Sequence, residues 1–162
     1  MTTPTPPGGT QLRTFAVWAL LAYAALLIVF AFLRWLLPDG NTFGGRSAAA
    51  DFTTVPTMAA PLLAVLLAAA VSPPLRNARL AALIALAEYA AVLVFGTLAL
   101  LIGLPAVFDS LGGNYPGVAS TNALAFLLVG IVELALVAIA AAWVWRVLAG
   151  LGGGLRRARR TG

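Results

Sequence analysis

The chain has 162 residues, of which 62% are hydrophobic and 9% charged, and its net charge is +5. A soluble domain carries about 45–50% apolar and about 25% charged residues, and surface-to-volume scaling would leave much of this chain's apolar surface in water. Cysteine and histidine are both absent, which excludes disulfides, thiolate metal sites and thiol catalysis, and removes the commonest general base and metal ligand.

All ten basic residues are arginine. With the abundance of Ala, Gly and Leu, this composition points to a GC-rich bacterial genome. In a soluble protein a charge of +5 would suggest nucleic acid. In a chain this apolar it is read first as topology, and no nucleic-acid partner is expected.

The first ten residues are rich in Thr, Pro and Gly and predict a disordered tail, so 1–14 is expected to be a disordered cytoplasmic segment. A spanning helix needs roughly 20 mostly apolar residues to cross a hydrocarbon core about 30 Å thick. The first such stretch is 15–37, with Arg34 and Trp35 near its far end. It is too long for the apolar region of a signal peptide and no small-residue cleavage site follows it, so it reads as a signal anchor. The second stretch, 52–71, is the shortest and has Pro56 and Pro61 in its first turns, where proline is tolerated. The third, 80–104, is expected to end at Pro105, and the fourth covers 124–147. Turn-rich segments at 38–41, 72–74 and 112–117 separate them.

These elements predict an all-α membrane protein: a four-transmembrane-helix antiparallel bundle over 15–149, followed by a flexible basic tail over 150–162. Orientation follows from the arginines. Arg13, Arg76, Arg79, Arg146, Arg156, Arg157, Arg159 and Arg160 fall on one side, and Arg34 and Arg46 on the other. That places both termini in the cytoplasm of a bacterial inner membrane. Asp39, Asp51 and Asp109 all fall in the outer loops. Trp18, Trp143 and Trp145 mark the inner interface and Trp35 the outer one.

Tyr23-Ala24-Ala25-Leu26-Leu27 resembles Tyr89-Ala90-Ala91-Val92-Leu93, and Leu37-Pro38 and Gly44-Gly45 match Leu104-Pro105 and Gly112-Gly113 at nearly constant spacing. Two repeated helical hairpins, as in some transporters, would give this pattern. So would chance similarity between Ala/Leu-rich spans.

Two glutamates stand inside apolar segments. Glu88 lies about 12 Å inside the cytoplasmic edge of the third span, and Glu133 about 18 Å inside that of the fourth, an offset of about 6 Å. An intramembrane carboxylate costs at least about 2.5–3.5 kcal/mol on insertion scales and often marks function. With Tyr89 and Tyr23 the nearest polar candidates, Glu88, Glu133 and Tyr89 form the proton- or cation-binding set. The alternative is that each carboxyl hydrogen-bonds across helices and simply holds the bundle together. Arg34 is expected to snorkel to the interface or to pair with Asp39.

Small residues at Ala60, Ala64 and Ala68, at Ala138 and Ala142, and at Gly96, Gly103 and Gly130 suit close helix packing. Arg156, Arg157, Arg159 and Arg160 follow a glycine-rich linker at 150–154. They are placed to contact anionic lipid headgroups, at about 1 kcal/mol each. The outer loops 38–51 and 105–123 are long enough for a small cap, with Phe43, Phe52, Val107, Phe108 and Tyr115 available to pack and a short interfacial helix over 106–111. No phosphate loop, metal-ligand cluster or nucleophile–base set is present, so no cofactor or metal is expected.

Two function classes lead, ahead of a membrane enzyme that would have to work with five acidic residues and a few tyrosines. The first is a non-enzymatic structural or accessory membrane protein, with a homo-oligomer or another membrane protein as partner. The second is a small proton-coupled transporter or exporter using Glu88 and Glu133. In size and four-span plan the chain resembles the small multidrug resistance transporters. Those carry their essential glutamate in the first span, where this chain has no acidic residue.

Overall fold

The computed structural model describes residues 7–111 and 116–158. Among them the regular secondary structure is all helix, with no strand. In chain order the helices are α1 (Pro7–Leu36), α2 (Phe43–Ala48), α3 (Val55–Val65, continued by a π-helical turn over Leu66–Ala70), α4 (Ala78–Leu111) and α5 (Pro116–Ala158). Three of them, α1, α4 and α5, are long and apolar enough to cross a membrane.

The packing follows the small side chains. On α1, Val17, Leu21, Ala24 and Ile28 recur at helical spacing and are buried, while Phe15, Tyr23, Leu26 and Phe30 on other faces are exposed. They join Ala64, Val65 and Ala68 of α3 with Ala78, Ala81, Ala82, Ala85, Tyr89 and Val92 of α4 in one core. At one end of the molecule the Arg13 guanidinium donates to the Pro73 carbonyl at 2.6 Å, tying α1 to the turn between α3 and α4. At the other end Trp35 meets Phe52 edge-on at 5.8 Å, and Phe52 stacks on Phe95 at 5.9 Å. So α1 runs parallel to α4 and antiparallel to α3.

Helix α5 runs antiparallel to α4. A Cβ on Gly96 would lie 3.1 Å from Leu134 Cδ2, and one on Gly130 would lie 2.6 Å from Leu100 Cδ1. These two contacts set the register between the helices. Only 11% of the apolar window of α5 is buried inside the molecule, so α5 is its most exposed long helix.

The second expected span differs most from its outline over 52–71. Its 11-residue helix starts at Val55 and passes into a 5-residue π turn, giving about 24 Å of rise. That is short of a 30 Å hydrocarbon core. Residues 51–54 are not helical. The reason is local: Thr54 precedes Pro56 in the first turn, and its backbone N–H donates to the Thr57 hydroxyl at 3.0 Å, which sets the helix start. At the other end Val71 is extended and Leu75 N–H donates to the Ala68 carbonyl at 2.9 Å, closing the turn.

Other boundaries move outward. Helix α1 begins at Pro7, so 7–14 are helical where a disordered tail was expected, and 1–6 lie outside the described residues. Pro105 does not end α4, which runs on to Leu111. Its missing N–H costs one hydrogen bond, to Leu101, in an otherwise apolar helix. The expected interfacial helix over 106–111 is therefore the end of α4. Helix α5 continues through the glycines at 150–154 to Ala158, where a flexible linker was expected. Arg156 and Arg157 fall within that last stretch, whereas Arg159, Arg160 and Tyr115 lie outside the described residues.

The repeat-related segments do not share an environment. Tyr89 is fully buried, whereas Tyr23 is half-exposed. The first half contains the short α2 and α3, the second the two longest helices. Ala60, Ala64 and Ala68 are buried as expected, but Ala138 and Ala142 are exposed, and α5 packs through Val137 and Val144 instead.

Candidate functional site

The end of the molecule opposite Arg13 is closed by the segment 37–54. Helix α2 is started by Thr42, whose hydroxyl accepts from Gly45 N–H at 3.1 Å, and it lies against α4. A Cβ on Gly103 would fall 2.7 Å from Ala48 N and 2.8 Å from Ala48 Cα, so the bare glycine is what lets the two backbones touch. Trp35 is buried beneath α2 and is not turned outward as an aromatic belt residue. Its indole N–H donates to Ser47 Oγ at 2.7 Å, and Ser47 Oγ donates to the Phe43 carbonyl at 2.8 Å. Of the expected cap residues Phe52 is buried, Phe43 is exposed but sets its ring 5.3 Å from that of Trp35, and Phe108 is exposed.

From Ala48 the chain descends beside α4 to Gly96, where a Cβ would lie 3.5 Å from Thr53 Cγ2 and 3.8 Å from Phe52 Cβ. From Gly103 to Gly96 is about 10 Å along the helix axis. Helix α3 therefore begins well below the top of α4. Non-helical backbone at such a depth needs its polar groups satisfied. Thr57 does much of this work: its hydroxyl accepts from Thr54 N–H and lies 3.0 and 2.8 Å from the Phe52 and Thr54 carbonyls, donating to one at a time.

Glu133 joins this break. Thr53, one residue before the α3 cap, donates its hydroxyl to Glu133 Oε2 at 2.5 Å. The two side chains face a cavity of about 60 Å³ that also touches Ser47, Gly96 and Gly130. This volume accommodates a small number of waters. An acceptor carboxyl beside the first turn of α3 also meets the positive end of that helix.

Glu88 is elsewhere. The α4–α5 register sets Glu133 level with about residue 97, roughly nine residues or ~13 Å along the axis from Glu88. The two carboxyls do not meet, and the expected 6 Å offset is about doubled. The reason is that α4 and α5 pair through Gly96 and Gly130, which pushes Glu133 toward the capped end. Glu88 is buried between Ala85 and Val92, and among the described residues neither of its carboxyl oxygens has a hydrogen-bond partner. Tyr89 turns away toward α3, and its hydroxyl donates to the Met58 carbonyl at 2.6 Å. Tyr89 therefore ties α4 to α3. Tyr23 approaches neither glutamate, being exposed on α1.

The arginines at the capped end pair differently from expectation. Arg34 lies 3.9 Å from Asp51, both well exposed, and Arg46 lies 3.9 Å from Asp39. Arg46 is held mainly by carbonyls, donating to Trp35 O at 3.2 Å and Asn41 O at 2.7 Å. The Asn41 backbone N–H, with help from its side chain and from Arg46, holds the Asp39 carboxyl below its ordinary 3.8. Among the described residues no three Asp or Glu side chains gather to hold a metal ion.

Sequence reasoning placed Glu133 inside the helical core but missed its partner, Thr53. The signal was present: Thr54-Val55-Pro56-Thr57 is a helix start, and reading it as one moves Thr53 into a loop with a free hydroxyl. No family model, curated protein or solved structure matches this chain.

Proposed function

We propose that this protein is a non-enzymatic, structural or accessory component of a bacterial inner membrane, a bundle of four crossing elements with both termini in the cytoplasm. In this reading the second crossing is composite: the extended segment 49–54 enters from the outer side and α3 completes the passage. Protein-buried irregular backbone of this kind is tolerated at membrane depth. Arg13 and Arg34 support the placement of α1, because they lie about 32 Å apart along its axis, one hydrocarbon thickness. The arginine asymmetry supports the orientation. Arg156, Arg157, Arg159 and Arg160 then supply cytoplasmic charge that attracts anionic headgroups.

The observation that carries the non-transport reading is the separation of the carboxyls. Glu133 is bonded to Thr53 beside a void of about 60 Å³, Glu88 lies ~13 Å away along the axis, and Tyr89 is bonded to α3 instead of bridging them. The exposed apolar face of α5, including Val129, Val132, Leu136 and Ile139, suits lipid, a second copy or a membrane partner. Crosslinking from α5 in native membranes distinguishes these three.

A second reading, a proton-coupled transporter, is favoured by one observation: a carboxyl set at the broken start of α3, as discontinuous helices in transporters set their ion sites. Flux in proteoliposomes decides between the two. The structural reading predicts that wild type, Glu88→Gln and Glu133→Gln all give no more proton-linked flux than empty vesicles. Wild-type flux that both variants abolish would establish the transporter.

A further inference from the structure

A further cavity lies neither at Glu88 nor at Glu133. It is an open recess of about 480 Å³ at the outer end of α1, between α1 and the segment leading into α2. Its volume is that of a small-ligand site. One wall is apolar: Phe30 and Leu33 on the outward face of α1 and Leu37 just past its end, all exposed. The floor is charged and balanced, with Arg34 and Arg46 beside Asp39 and Asp51.

The ion pairs in that floor are loose. Both stand at 3.9 Å, beyond hydrogen-bond distance. Arg34 and Asp51 therefore keep bonding capacity that a ligand can fill, whereas Asp39 already accepts from the Asn41 backbone N–H at 3.1 Å and its side-chain amide at 3.3 Å and has only its remaining lone pairs to offer. Arg46 already spends donors on Trp35 and Asn41. The exposed Arg34 is then the main anion ligand, and its planar fork suits a phosphate. Asp51 and Asp39 are acceptors only, and suit an ammonium that can donate. A headgroup with one phosphate and one primary ammonium matches this arrangement in charge, and its acyl chain continues down the Phe30–Leu33–Leu37 wall.

We propose that the recess bounded by Arg34, Asp51 and Asp39 is an outer-leaflet phospholipid site that takes a phosphoethanolamine headgroup. The site rests on the membrane reading above. A phosphocholine headgroup carries the same charges but has no N–H to give the aspartates. A phosphoglycerol headgroup lacks the cation.

The test uses the full chain, purified in detergent and exposed to an equal mixture of phosphatidylethanolamine, phosphatidylcholine and phosphatidylglycerol with identical acyl chains. Native mass spectrometry counts what is retained. Retention of the ethanolamine lipid is expected to exceed that of each other lipid by about tenfold, the factor that one charge-assisted hydrogen bond supplies. Arg34→Ala should lower the retention of all three lipids, since each carries a phosphate, and Asp51→Asn should erase the preference. Both residues are exposed, so the variants fold, and Arg146→Ala at the opposite end should keep it. Equal retention of the three lipids, a preference for phosphatidylglycerol, an unchanged preference in Asp51→Asn, or unchanged total retention in Arg34→Ala overturns the proposal. Carbonate extraction of native membranes is run alongside. Release of the chain into the soluble fraction would sink the membrane reading itself, whereas retention with no lipid preference sinks only this site.

Discussion

The contact between α2 and α4 gives the sharpest mutational prediction. A Cβ added to Gly103 meets Ala48 N at 2.7 Å, Ala48 Cα at 2.8 Å and the Ser47 carbonyl carbon at 3.0 Å. These are backbone atoms, so no side-chain rotation relieves the clash. Overpacking of this kind costs about 1–3 kcal/mol. It is partly masked because Ala is a better helix residue than Gly by about 0.8–1 kcal/mol. Gly150→Ala provides the reference: it makes the same exchange within α5, with nothing inside 4 Å of the new Cβ. The propensity gain cancels between the two variants, so Gly103→Ala should be less stable than Gly150→Ala by about 1–3 kcal/mol. Denaturant titration in detergent, followed by tryptophan fluorescence, measures the difference. Trp35, one of four tryptophans, lies under α2 and supplies the part of the signal that comes from the cap. If the two variants gain stability equally, α2 does not rest on α4 at Gly103.

Glu88→Leu should raise stability by about 1–3 kcal/mol, the cost of a buried polar group without a partner; a loss in the same titration would reveal a bond to Glu88 that the account omits. Trp35→Phe keeps most of the ring and deletes the bond to Ser47, so it should cost about 0.5–1.5 kcal/mol, and Ser47→Ala added on top should cost little more. Asp39 gives the pH dependence. Its native carboxyl is held below its ordinary 3.8, first by the Asn41 N–H, so its contribution is present above that value and is lost as the pH falls through the lower native one. Asp39→Asn should therefore flatten the acid limb of stability below pH 3.8 and leave the neutral region parallel to wild type; an unchanged acid limb refutes the Asn41 contact.

How much was legible in the sequence depended on what set each feature. The long apolar helices follow from local composition, and α1, α4 and α5 are where hydropathy put them. Their ends were less legible. Proline and glycine usually stop helices, yet α4 runs through Pro105 and α5 through Gly152. The chain around 52–71 was misjudged because its apolar character hid a polar helix start at Thr54 and Thr57. Glu88 and Glu133 were visible as acidic residues in apolar surroundings, but their relation was not. It depends on the α4–α5 register, which Gly96 and Gly130 set through contacts with Leu134 and Leu100, 38 and 30 residues away in the chain. Trp35 was legible as an amphipathic aromatic, whereas its burial under α2 depends on Gly103 admitting that helix.

The central claim is that the chain between α1 and α4 crosses the membrane even though α3 is short. Cysteine is absent from the sequence, so single cysteines placed at Asn41 and Asn77, which bracket that segment and are both exposed, report its sidedness without background. An impermeant maleimide is applied to intact spheroplasts and, separately, after permeabilisation. The account predicts that the cysteine at position 41 labels from outside, and that the cysteine at position 77 labels only once the membrane is opened. Labelling of both from the same side would contradict it.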